Sequence, residues 1–113
     1  MNLSFNRADI VLVDFNPAMP TEAAKTRPAI IVTNNAANEF SPVLVVIPLT
    51  TNLQNIYPHE IVLPKTQTGL DQDSKAQIAL IRHISKARVK RVIGFVPDEW
   101  MQQVNSRIRE HLG

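Results

Sequence analysis

Two strand ends carry the side chains best suited to chemistry. Arg27, in Lys25-Thr26-Arg27-Pro28, stands between a polar, Pro-containing connection over residues 16–26 and the apolar run Ala29-Ile30-Ile31-Val32. A permanently charged, planar donor at the mouth of a strand suits a phosphate better than a core. The second end is Pro48-Leu49-Thr50-Thr51, where hydroxyls close the next apolar run. A guanidinium and a hydroxyl at the ends of neighbouring strands can face one phosphodiester. Metal-free RNA cleavage needs little more. The 2′-OH supplies the nucleophile, so a protein need only orient the chain, move protons and stabilise the pentacoordinate phosphate. The same residues also admit a plain structural reading. Arg27 would then pair with Glu22 across the loop, and Thr50 and Thr51 would simply end a strand well.

Several other chemistries lack their residues. There is no Cys, which removes disulfides, thiolate metal sites and Cys nucleophiles together. His59, His83 and His111 lack ligand spacing, so neither a metal nor a cofactor is expected. Three glycines leave no phosphate-cradling loop and no nucleophile elbow. Asp71-Gln72-Asp73 opens like a calcium loop but is followed by no Gly at the sixth position and no closing Glu. Arg82, His83, Lys86, Arg88, Lys90 and Arg91 form a basic stretch that is either a solvated face or a track for a nucleic-acid backbone. Among the aromatic residues, Phe15 and Tyr57 flank loops near the two strand ends and are the candidates for stacking on bases. Most of the aromatic residues are expected in the core.

The elements that must position these residues are mostly short strands. At 113 residues the chain is expected to be one domain with a single hydrophobic core. Its 44% hydrophobic and 19% charged content is ordinary for a globular protein, and a net charge of +2 is compatible with a nucleic-acid partner without implying a basic arm. No apolar run approaches membrane-spanning length and none resembles a signal segment, so a cytoplasmic location is expected. Strands are predicted over residues 10–15, 29–33, 43–49, 60–63, 76–84 and 92–95, with a helical turn over 34–40 and a loop over 66–73. Residues 43–49 are nearly all apolar, which predicts burial on both faces. Near the end the period changes: Met101, Val104, Ile108 and Leu112 fall on one helical stripe. Pro97 suits the first turn of that helix, and Asp98 and Glu99 suit the positive end of its dipole. Many strands and one terminal helix predict a mainly β fold, a small, strongly curved antiparallel barrel.

Read in order, the segments resemble the MazF/PemK family of toxin endoribonucleases. The matching residues are Arg7-Ala8-Asp9-Ile10-Val11-Leu12-Val13-Asp14 with Asn16-Pro17, then Thr21-Glu22 and Thr26-Arg27-Pro28-Ala29-Ile30-Ile31-Val32-Thr33-Asn34. They continue through Pro48-Leu49-Thr50-Thr51, Tyr57-Pro58-His59-Glu60-Ile61-Val62-Leu63, Thr68-Gly69-Leu70-Asp71 and Ile81-Arg82-His83-Ile84. The resemblance implies an SH3-like barrel of about five to seven strands with a C-terminal helix, acting as a homodimer. It implies metal-independent cleavage of single-stranded RNA at a short sequence, leaving 2′,3′-cyclic phosphate and 5′-hydroxyl ends. It further implies a cognate MazE/PemI-like antitoxin with an acidic, disordered tail. By position, Arg27 and Thr50 match the family's catalytic Arg and Thr. Glu22 falls on its loop Glu, and Phe15, Thr51, Tyr57, His59 and Arg82 are substrate-binding candidates. Glu22 and His59 are the candidate acceptors of the 2′-OH proton.

The chain departs from the family in two places. Ala23-Ala24-Lys25 replace the usual Gly- and Gln-containing loop, and Ala79-Leu80 replace an acid–Gln pair on the RNA-facing surface. Two alternatives follow. One is a non-cleaving, CcdB-like gyrase-binding toxin, against which the His111-Leu112-Gly113 terminus speaks. The other is a degenerate toxin that keeps only antitoxin binding.

Overall fold

A computed structural model describes residues 4–15 and 26–113. Glu22 and the departure at residues 23–25 lie outside them. Among the described residues seven strands, β1 (Asp9–Asp14), β2 (Thr26–Ile31), β3 (Val43–Thr50), β4 (Ile61–Leu63), β5 (Ser74–Ala76), β6 (Arg82–Ser85) and β7 (Val89–Phe95), pair antiparallel. The sheet order is β4-β5-β3-β2-β1-β7, with β6 also on β3. Helices α1 (Asn35–Phe40), α2 (Lys65–Thr68) and α3 (Asp98–Leu112) and 3-10 turns at Ile78–Leu80 and Lys86–Arg88 join them, so the expected mainly β fold with a C-terminal helix is borne out.

The central strands are apolar in succession rather than in alternation, and the structure covers both of their faces. Ile10, Ile30, Ile47 and Leu49 point into a cluster with Ile61, Leu63, Ile78 and the α3 residues Met101 and Val104. Val11, Val13, Ala29, Ile31, Leu44 and Val46 form a second cluster with Phe5, Phe15 and Ile84. The single core expected from chain length is therefore two clusters, because a sheet buried on both faces needs packing on each side. Along β1–β7 the register skips at Ile10/Val11 and at Leu12/Val13. Such irregularities increase twist and help the sheet curl.

Several local expectations are corrected. The apolar stretch 76–84 is not one strand. It divides into β5, a 3-10 turn at Ile78–Leu80, and β6. β3 is long enough to take both on one side: β6 pairs its first half and β5 its last two residues. The turn between them changes the chain's path. The start of the loop expected over 66–73 instead belongs to α2, closed by Gly69 at φ 80°, a left-handed conformation that glycine adopts without steric cost. Pro97 is the cap of α3 and not its first turn, with no side-chain cap bond. Leu112 is exposed, so the apolar stripe of α3 ends at Ile108. Phe40 and Phe95 are exposed, not core. Among the described residues no helix is long and apolar enough to cross a membrane.

Gly94 shows how closely β7 approaches α2. A Cβ there would lie 2.5 Å from the Thr68 backbone carbonyl oxygen, which cannot swing away as a side chain can. Gly94→Ala is expected to cost about 1–3 kcal/mol of stability, measured by urea unfolding. An unchanged midpoint would show that the two elements separate readily.

Candidate active site

Arg27 lies one residue inside β2, not at its mouth, because pairing with β1 begins at Thr26 opposite Asp14. Its own backbone partner is Val13. The side chain is half-buried, and one terminal nitrogen donates to the Leu49 carbonyl at 3.2 Å and to Gln77 Oε1 at 2.6 Å. The guanidinium is thus held against the residue that precedes Thr50. The tertiary structure brings the two sequence-selected strand ends together.

Thr50 closes β3 and pairs with Lys75 of β5. Its Oγ1 accepts from the Asn52 N–H at 3.2 Å. A hydroxyl that accepts in this way still has its own proton to donate, as a phosphate oxygen requires. Thr51 is exposed just beyond the strand.

Behind Thr50 stands an ion pair that no motif or spacing singles out. Lys75 Nζ donates to Glu60 Oε1 at 2.9 Å, and both residues are buried, at 6% and 8% exposure. The ammonium also donates to the Asn55 carbonyl, and Glu60 Oε1 accepts from the Tyr57 N–H at 2.9 Å. Burial by itself pushes the Glu60 carboxyl up. The Tyr57 N–H bond, the Lys75 hydrogen bond and charge, and the His59 charge outweigh it and hold the group below its ordinary value. These contacts fasten the segment leading into β4 onto β5, and hence beside Thr50.

Tyr57 is 58% exposed and stacks on His59, with centroids 5.7 Å apart and planes within 5°. His59 in turn meets His111 of α3 at 5.2 Å. The two histidines that sequence spacing set apart are neighbours in space. Among the described residues, however, no three His, Asp or Glu side chains gather as a metal site would need. Phe15 differs from expectation. It is only 7% exposed, and the Arg82 guanidinium lies over its ring at 5.1 Å. The exposed side chain there is Arg82, so a base would meet the cation before the phenyl face. Arg88 donates to the Asp14 carbonyl at 3.3 Å, while His83, Lys90 and Arg91 remain exposed. The basic stretch is therefore part structural and part solvated. Ala79 and Leu80 are both exposed on the 3-10 turn.

Neither Gln77 nor Lys75 stands out in the sequence, and neither does the contact of His111 with His59. Gln77 lies within a mostly apolar run, Lys75 looks like any surface lysine, and His111 is 52 positions from the histidine it meets. Only the sheet register, which places β5 against the end of β3, could have found the first two.

The family model for the PemK-like, MazF-like toxins of type II toxin–antitoxin systems matches residues 6–112. The chain belongs to this family. It is 38% identical over 111 residues to the endoribonuclease MazF9 of Mycobacterium tuberculosis, with 94% of each chain covered. Its fold is similar to that of MazF from Deinococcus radiodurans, with a TM-score of 0.82 at 20% identity and 99% of each chain covered. It is also similar to a mycobacterial endoribonuclease in complex with its cognate antitoxin, with a TM-score of 0.78, 21% identity, and 100% and 96% coverage.

Proposed function

We propose that this chain is a toxin endoribonuclease that cleaves single-stranded RNA at a short sequence without a metal, with Arg27 and Thr50 as catalytic residues. The supporting observation is the anchoring of Arg27 at the Leu49 carbonyl, one residue from Thr50. The 2′-oxygen attacks the adjacent phosphorus as its proton leaves to a base, for which Glu22 and His59 are the candidates. The bond to the 5′-oxygen breaks, and that oxygen takes up a proton. The products are a 2′,3′-cyclic phosphate and a 5′-hydroxyl. Arg27 stabilises the charge that gathers on the phosphoryl oxygens, where the forked guanidinium suits two oxygens at once. In this reading Arg27 also passes the proton to the leaving 5′-oxygen. Thr50 fixes the scissile phosphate by hydrogen bonding. Arg82, Thr51 and Tyr57 bind the flanking chain.

The reading includes a single toxin domain, a homodimer, a cytoplasmic location and a MazE/PemI-like antitoxin whose acidic tail covers the RNA groove. The solved mycobacterial complex shows an antitoxin on a protein of this fold.

The test is incubation of antitoxin-free protein with a long single-stranded RNA in EDTA. Fragments are expected whose 5′ ends accept phosphate from a kinase without prior phosphatase treatment. Intact RNA would sink the enzyme reading and leave the degenerate toxin. Thr50→Val, which keeps the shape and loses the hydroxyl, is expected to slow single-turnover cleavage by about 10- to 100-fold. A rate equal to wild type would remove Thr50 from the mechanism.

A further inference from the structure

We propose that Gln77 is a positioning residue for this reaction, helping to orient the Arg27 guanidinium through an acceptor that itself carries no charge. The proposal rests on the reading of Arg27 as catalytic. Gln77 lies between β5 and the 3-10 turn at Ile78–Leu80, where its backbone N–H donates to the Pro48 carbonyl at 2.9 Å. That bond ties it to β3 two residues before Thr50. Its side-chain oxygen then takes the Arg27 hydrogen bond at 2.6 Å, while the same nitrogen also reaches the Leu49 carbonyl. One residue therefore spans both halves of the site, its backbone on the Thr50 strand and its side chain on the Arg27 strand.

The chemistry of the acceptor matters. A guanidinium on a six-bond side chain has many rotamers, and a phosphoryl transition state rewards only those that aim its fork correctly. A carboxylate at this position would hold the group at least as firmly. It would also place a negative charge beside the phosphate and cancel the field that Arg27 supplies. An amide oxygen and a carbonyl orient the cation and add no charge. This separates two properties that a purely structural hydrogen bond would leave together.

The test compares Gln77→Glu and Gln77→Leu with wild type and Arg27→Ala. Single-turnover cleavage of a long single-stranded RNA in EDTA is measured alongside binding of its 2′-O-methyl counterpart by fluorescence anisotropy and the thermal midpoint. Both Gln77 variants are expected to cleave roughly 10- to 100-fold more slowly, with binding changed less than about threefold for Gln77→Leu. Gln77→Glu should keep or raise the thermal midpoint, because the new charge pair replaces a neutral bond. Slow cleavage in a variant that is at least as stable as wild type is the signature that a structural role would not give. If Gln77→Glu cleaves at the wild-type rate while Arg27→Ala is inactive, the proposal fails and the active site stands. The proposal also fails if Gln77→Glu loses cleavage only in proportion to lost folded protein. If Arg27→Ala cleaves as wild type, the catalytic reading fails and the role of Gln77 falls with it.

Discussion

Arg27→Ala is expected to slow cleavage of single-stranded RNA by about 10²- to 10³-fold, equivalent to ~2.7–4 kcal/mol of lost transition-state stabilisation. The measurement is single-turnover decay of full-length RNA in EDTA, at an enzyme concentration that saturates binding. The large effect follows from preorganisation. The guanidinium is already held by the Leu49 carbonyl and Gln77 before any substrate arrives, so no reorientation is needed when charge develops. Its loss should also cost folding about 1–3 kcal/mol, because acceptors at the buried Leu49 and the half-buried Gln77 lose a donor. Arg27→Lys keeps the charge without the fork and should recover only part of the rate, remaining about tenfold or more below wild type. Cleavage by Arg27→Ala within about threefold of wild type would reject the assignment, since no fixed cation of this kind is worth so little.

The second large effect concerns stability. Glu60→Leu alone, or Lys75→Met alone, is expected to destabilise the fold by about 3–5 kcal/mol, because each leaves a buried charge without its partner. For a chain of this size that corresponds to a fall in Tm of roughly 10–20 °C. The double variant should recover most of the loss, since removing both charges also removes the desolvation they impose. Non-additivity of this sign in a thermal-denaturation cycle is the diagnostic result. Additive losses would mean that the pair is effectively solvated.

The same pair predicts a pH dependence. The Glu60 carboxyl titrates below its ordinary value of 4.5 in the folded protein. Its contribution is then fully present above the unfolded value and is lost as pH falls through the folded one. Acidification below about pH 4.5 should narrow the stability gap between wild type and the double variant, with no such trend near neutrality. Urea melts at stepped pH check the sign. A gap that widens on acidification would contradict the lowered pKa.

Much of the fold was legible because local pattern and burial agreed. β1 and β3 are runs of β-branched residues, and α1 begins where Asn34 can cap it, its side chain accepting from the Ala37 N–H at 2.9 Å. α3 was readable from the spacing of Met101, Val104 and Ile108. Residues 76–84 failed for the opposite reason. Their apolar content is compatible with one strand or with two joined by a turn, and only the two pairing partners along β3 decide between them. Phe15 failed similarly. An aromatic ring beside a loop can face solvent or core, and here the second cluster and Arg82 take both sides.

By itself the sequence determined that Arg27 and Thr50 were chemically unusual strand-end residues, because charge and hydroxyl chemistry are properties of the side chain and need no fold. It also determined the family, since the ordered segments run nearly the whole chain. Only the tertiary structure decided what holds them. The Arg27–Gln77 bond joins residues 50 positions apart, and the Glu60–Lys75 pair joins residues 15 apart. Such contacts are set by sheet register, and register follows from which apolar side chains can be buried together on each face. That is a property of the packed chain and not of any segment within it.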